Sequence, residues 1–136
     1  MEIFWTVVSG TSIYVLGQVV QTFFIKPIND FKITLGEISH KVKFHSNIIT
    51  NSGVSEDRIV WSSGDMRDLS CQLESKYLAI PWSYFFSILG LLIKREDVRE
   101  SSVLLIRLSN STGMKGDEII NSETIDKLKK RLKLIL

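Results

Sequence analysis

Two histidines, one cysteine and a pair of glutamines offer the most chemistry in this sequence. His40 and His45 stand five positions apart, Cys71 is alone, and no third ligand joins them at a matching spacing. A structural zinc site takes four such ligands and a catalytic one three. No metal and no cofactor are expected. Arg58 or Arg67 with a histidine would suit RNA cleavage, but no Arg-x4–6-His spacing occurs. Serine is abundant, so a Ser-His-Asp set could be assembled only by free choice. Catalysis is therefore not expected. The expected role of His45 is that of a core histidine hydrogen-bonded to a neighbour.

Gln18 and Gln21 are different, because of where they stand. From Ile3 to Ile25 the chain runs 23 residues without an Asp, Glu, Lys, Arg or His. As a helix this run is about 34 Å long, against a hydrocarbon core of about 30 Å. It reads as a transmembrane helix. A cleaved signal peptide wants a basic n-region, a shorter apolar core and a small-residue cleavage site. Here Met1-Glu2 precede the run and Lys26-Pro27 follow it.

On a wheel of about 100° per residue, Thr6, Gly10, Thr11, Tyr14, Gly17, Gln18, Gln21 and Thr22 share one arc. The opposite arc carries Trp5, Val8, Ile13, Val15, Leu16, Val19, Val20 and Phe23, with Ser9 and Ser12 among them. Small residues let helices approach closely, and amides bond between helices or meet water. The face Thr6, Gly10, Tyr14, Gly17, Gln18 and Gln21 is expected to pack against another span or to face a pore.

All 17 Lys and Arg and 14 of the 15 acidic residues lie after Ile25, a mild basic excess that gives no evident argument for nucleic acid. Lys26, Lys32, Lys41 and Lys43 follow the run closely, and positive flanks stay in the cytoplasm. The expected division is residues 1–26 as the transmembrane helix, N-terminus outside, and residues 27–136 as a cytoplasmic helical domain. A single cysteine allows no intrachain disulfide, in keeping with a reducing compartment.

The domain reads as all-α, a small bundle of about four or five helices. Pro27 suits the first turn of a new helix, one that starts almost at the membrane and can continue the first with a kink. Behind it Ile28, Phe31, Leu35, Ile38, Val42, His45 and Ile49 alternate at spacings of three and four, a heptad-type seam that suits an oligomer. Asn51-Ser52-Gly53 should end that helix. Ser55 then caps a helix to about Tyr77, with Ile59, Met66, Leu69 and Leu73 on one face. Tyr77 to Ile93 is a second uncharged run. Pro81 and Gly90 interrupt it, so a short helix from Pro81 to Leu89 is expected, with a second crossing as the alternative. Glu96 to Ser109 reads as a helix with Val98, Leu105 and Leu108 inward. Asn110 to Gly113 reads as a loop. A last helix begins near Asn121 or Ser122, with Ile125, Leu128, Leu132 and Ile135 inward. Its basic residues Lys127, Lys129, Lys130, Arg131 and Lys133 suit either an anionic lipid surface or the solvent face of a bundle helix.

The layout of one N-terminal span, an early proline and a small helical domain resembles a type of uncharacterised bacterial inner-membrane protein. The matching stretches are Phe44-His45-Ser46-Asn47-Ile48-Ile49-Thr50-Asn51, Asp65-Met66-Arg67-Asp68-Leu69, Ile80-Pro81-Trp82 and Leu108-Ser109-Asn110-Ser111. The chain is also similar, more distantly, to accessory membrane proteins of RNA-targeting CRISPR systems. Those place one span per subunit before a cytoplasmic domain related to helical ribonucleases, and assemble as a pore. That resemblance implies a pore or scaffold role and, with the arginine–histidine motif missing, no nuclease role.

Three functions follow as expectations. The first is a homo-oligomeric, single-pass protein of the bacterial inner membrane, forming a pore in an antiviral or stress response. Its partners are itself and the lipid bilayer. The second is a membrane-held docking module for a cytoplasmic protein. The third, a hydrolase or nuclease, requires a polar pocket around His40 or His45.

Overall fold

The computed structural model describes residues 1–51 and 53–134. All regular structure among them is helical. The helix α1 spans Glu2–Val20, a π-helical turn covers Gln21–Ile25, and α2 follows directly as Lys26–Phe44. α2 continues the first helix, and in its first turn stands Pro27, as expected. The proline lacks the N–H that an unbroken α-helix would aim at the Phe23 carbonyl. The preceding turn widens, and the Lys26 N–H bonds to the Gln21 carbonyl five residues back. One extra residue in a turn absorbs the proline without ending the helix. Glu2–Phe44 is the one described helix that is long and apolar enough to cross a membrane, and its apolar part is unburied by the rest of the chain.

The remaining helices are α3 (Ser46–Ile49), α4 (Glu56–Leu78), α5 (Ser83–Ile88), α6 (Arg95–Ser111) and α7 (Glu118–Leu132). With α2, the long helices α4, α6 and α7 form an up-down-up-down bundle. Phe31 meets Tyr77 and His45 meets Asp65, so α2 and α4 are antiparallel. Ser70 meets Ser102 and Arg67 meets Ser109, so α4 and α6 are antiparallel. Ser111 meets Asn121 and Arg131 meets Asp97, so α7 runs back along α6. The start of α2, the end of α4, the start of α6 and the end of α7 therefore share the end of the bundle nearest α1.

The core follows the apolar spacing of each helix. Phe31, Ile38 and Val42 of α2 meet Met66, Leu69, Leu73 and Tyr77 of α4. Val98, Leu105 and Leu108 of α6 and Ile125, Leu128 and Leu132 of α7 complete it. Ile59 is half-buried at the rim. Ile135 lies outside the described residues, as does Ser52. Along α4 and α6 the buried positions include Ser62, Ser70, Ser101 and Ser102, whose small side chains allow a close approach. Ser70 Oγ donates to the Ser102 carbonyl at 3.0 Å.

Three helix ends differ from the sequence expectation. The Ser55 hydroxyl makes no capping bond, although Ser55 stands at the N-cap of α4. The last helix starts at Glu118, because Asn121 is not a cap: its amide reaches the Ile49 carbonyl at 2.9 Å and joins α7 to the end of α3. Asn110 and Ser111 stay helical, held by Arg67 on one side and Asn121 on the other. The turn that follows rests on Gly113, at φ +83°, where an added Cβ would lie 2.5 Å from Ile59 Cδ1. A Gly113→Ala chain is expected to lose about 2 kcal/mol, from left-handed strain and overlap together. Urea unfolding checks this, and an unchanged midpoint would reject the account.

The uncharged run after Tyr77 does not form the helix Pro81–Leu89. Trp82 takes a left-handed conformation (φ 54°) and delays α5 to Ser83; Gly90, at φ 73°, ends the segment as expected. The Tyr77 hydroxyl donates to the Ile93 carbonyl at 3.1 Å and ties the two ends of the run together.

Candidate functional site

The face expected to pack or line a pore lies entirely outside the bundle. Thr6, Gly10, Tyr14, Gly17, Gln18 and Gln21 are all exposed. The hydroxyls of Thr6 and Thr11 are already used within the helix. Thr6 Oγ1 donates to the Glu2 carbonyl and Thr11 Oγ1 to the Val7 carbonyl, each at 2.9 Å. Ser9 and Ser12 on the other arc bond back in the same way. Those four residues impose little polarity on their surroundings. Gln18 and Gln21 do impose it, since neither side-chain amide has a partner among the described residues. Beside them Gly10 and Gly17 have nothing within 4 Å of where a Cβ would stand. The arc is set apart by small size and by two amides, and hardly at all by hydrophobic asymmetry. Such a surface suits close contact between helices.

The heptad seam has a different place from the one expected. Phe31, Ile38, Val42 and His45 are buried within the chain, and Ile28 and Leu35 pack half-buried against the same core. The seam expected to join copies faces α4 instead. An apolar stripe is satisfied by whichever helix reaches it first, and α4 is folded back onto it by a short connection.

His45 is fully buried and its Nε2 lies 2.8 Å from Asp65 Oδ2. The Lys41 ammonium donates to the same oxygen at 2.8 Å. A carboxylate only accepts, so in this contact Nε2–H is the donor. Nδ1 has no partner. Burial alone would raise the Asp65 carboxyl, but the bonds and charges of Lys41 and His45 outweigh it and hold it below the usual carboxylate range. Edge contacts from Trp61 and Phe44 enclose the His45 ring, with centroids 4.8 and 5.2 Å away.

A groove of about 510 Å³ runs beside this cluster, bordered by Glu37, His40, Lys41, Asp65, Asp68 and Gln72. His40 is exposed and stacks on Phe44. His45 lies behind the wall and reaches no solvent. Among the described residues, no serine, threonine or cysteine borders the groove. No group of three or more His, Cys, Asp or Glu that could hold a metal occurs among the described residues.

The basic end of α7 sits at the bundle end nearest α1. Arg131 is held by Asp97 at 2.9 Å and by Glu100, and Lys129 reaches Asp126 at 3.4 Å. Those two cations are engaged within the protein. Lys127, Lys130 and Lys133 are exposed.

Three of the four stretches behind the resemblance meet in space. His45 bonds Asp65, and Arg67 bonds Ser109 at 2.9 Å and the Asn110 amide oxygen at 2.8 Å. Together they stitch the end of the bundle far from α1. Sequence reasoning missed Asp65 as the hub. Its spacing from Ser62 and Leu69, three and four positions, puts it on the edge of the buried face of α4 and was the available signal.

Compared with known proteins, the chain matches no family model, no curated protein and no solved structure.

Proposed function

We propose that the chain is a single-pass protein of the bacterial inner membrane, with the bundle in the cytoplasm, and that it self-associates through the Gln18/Gln21 face of α1. In its assembled form the ring of spans conducts ions and dissipates the membrane potential, an effector role in an antiviral or stress response. The observation that carries the reading is the pair of unpartnered amides next to two open glycines on a helix the bundle leaves bare. In hydrocarbon an unpaired amide costs several kcal/mol. A second copy of the same face would satisfy it. The uninterrupted passage from α1 into α2 also supports a retained anchor over a removable leader.

Ion flux from liposomes tests the pore. Dye or potassium release is expected from vesicles holding the oligomer, and strong reduction in a Gln18→Leu/Gln21→Leu chain. Equal leakage by both would end the pore reading. A mass corresponding to monomer in mild detergent would end self-association as well.

A docking module is the second reading. Phe44, Val60 and Trp61 are large, apolar and exposed at the end of the bundle far from α1, where a cytoplasmic protein would have access. Recovery of one stoichiometric partner by a monomeric chain, lost on Trp61→Ser, would favour it.

A further inference from the structure

The exposed apolar surface of the bundle is concentrated beside the end of α1. Between Leu78 and Leu91, the residues Trp82, Tyr84, Phe85, Ile88 and Leu89 are all exposed, Trp82 by 72% and Tyr84 by 79%. Nothing between Tyr77 and Ile93 is charged. Ile80 is buried in the core and Phe86 is half-buried against it.

The level at which this surface sits is set by three aromatic rings. Phe24 belongs to the last turn of the apolar run, two residues before Lys26. Its ring meets Trp82 edge-on at 5.9 Å and Phe86 at 6.2 Å. The tip of the α4–α6 connection therefore reaches past Lys26 to the level of the π turn that ends the apolar run. Behind it the surface turns cationic. Lys94, Arg95 and Arg99 border a groove of about 720 Å³ next to α5, shared with Glu74 and Glu96. Lys26 and the end of α7 lie at the same end of the bundle.

We infer that the Leu78–Leu91 segment is a second membrane contact, a platform seated in the interface of an anionic phospholipid bilayer beside the span. This rests on the reading of α1 as a span. A tryptophan, a tyrosine and phenylalanines flanked by cations match the chemistry of that interface, where an aromatic ring keeps one edge apolar and one wet. Cations behind an apolar surface meet the phosphates. The backbone points the same way. Trp82 holds a left-handed conformation that strains a bulky residue, and in water its ring would be exposed as well. Burial of the ring in lipid offsets both. Six residues of α5 are too few to cross a bilayer, so the segment lies in the interface and does not span. With two attachments, the bundle is held at one orientation to the span.

The three tryptophans test this directly. Trp5 lies in the apolar run, Trp82 on the platform and Trp61 about 24 Å along α4 from Tyr77. Full-length chains keeping one tryptophan each, the others replaced by phenylalanine, are reconstituted in phosphatidylcholine–phosphatidylglycerol vesicles with or without brominated acyl chains. Circular dichroism first checks that each chain is folded. Trp82 is expected to lose about as much emission to bromine as Trp5, and Trp61 to lose almost none. Quenching of Trp5 with Trp82 as bright as Trp61 overturns the platform and leaves the span standing. A blue-shifted Trp82 that bromine does not quench places protein there, a second copy or another chain, and also overturns it. An unquenched Trp5 overturns the span and the platform with it.

Discussion

Replacing Gly10 and Gly17 together by leucine is expected to break the assembly into monomers while leaving each chain folded. Both glycines face open space, so leucine meets nothing within the chain. Leucine also favours helix over glycine by roughly 1 kcal/mol at each position, so loss of assembly cannot come from an unravelled α1. Between copies the effect reverses. Two added side chains push the helix axes apart, and the Gln18 and Gln21 amides lose their reach together. Interhelical bonds of this kind are worth about 0.6–2 kcal/mol each. Losing two weakens pairing by about 1–4 kcal/mol, roughly 10- to 1000-fold. Mass measurement of the detergent-solubilised chain, or energy transfer between labelled copies in vesicles, reads the change. A variant as large as the parent would show that this face is not the contact.

Asp65→Ala is expected to produce the largest loss of stability outside the apolar core. Asp65 accepts from Lys41 and His45 through one oxygen. Without it Lys41, which is partly exposed, turns to water, but the His45 Nε2–H is left buried with no acceptor. Bonds to charged groups contribute about 1.5–3 kcal/mol, and an orphaned buried donor costs about 1–3 kcal/mol. The two figures overlap, since both describe the same lost bond, and a net loss of about 2–4 kcal/mol corresponds to a Tm lower by the order of 10 °C or more for a bundle of this size. Asp65→Asn keeps an acceptor for His45 and should lose less. Thermal unfolding in detergent ranks the two, and an Asp65→Ala chain as stable as the parent would remove Asp65 from its role as hub.

The same pair of chains carries a pH signature. The folded Asp65 carboxyl lies below its ordinary value, near 3.9 in an unfolded chain. The unfolded state therefore takes up the proton first as pH falls. The contribution of Asp65 is fully present above the unfolded value and is lost as pH drops through the folded one. The stability gap between parent and Asp65→Asn is expected to be constant near neutrality and to close below about pH 4. A gap that widens in acid would mean that the carboxyl is raised by burial instead.

Most of the helices could be read from spacing. The face of α4 through Met66, Leu69 and Leu73, and that of α6 through Val98, Leu105 and Leu108, are periodic in the sequence and buried in the fold. Their ends were less legible. Asn121 looks like a cap in sequence, yet the Ile49 carbonyl holds it inside α7, 72 positions away. Pro27 stands in the first turn of α2 as its type suggests, but that a π turn before it keeps one helix running is visible only in the fold.

What the sequence determined by itself is the character of single elements: an apolar run of 23 residues, a seam at alternating spacings of three and four, and an uncharged stretch broken by Pro81 and Gly90. These depend on residues close in the chain. What only the tertiary structure decided is which surface meets which. It turned the seam inward onto α4, brought Lys41 and His45 to one carboxylate, and set Trp82 against Phe24. An apolar stripe states that it must be covered and leaves open by what. That choice depends on how the connections fold the helices back on one another, which no local pattern contains.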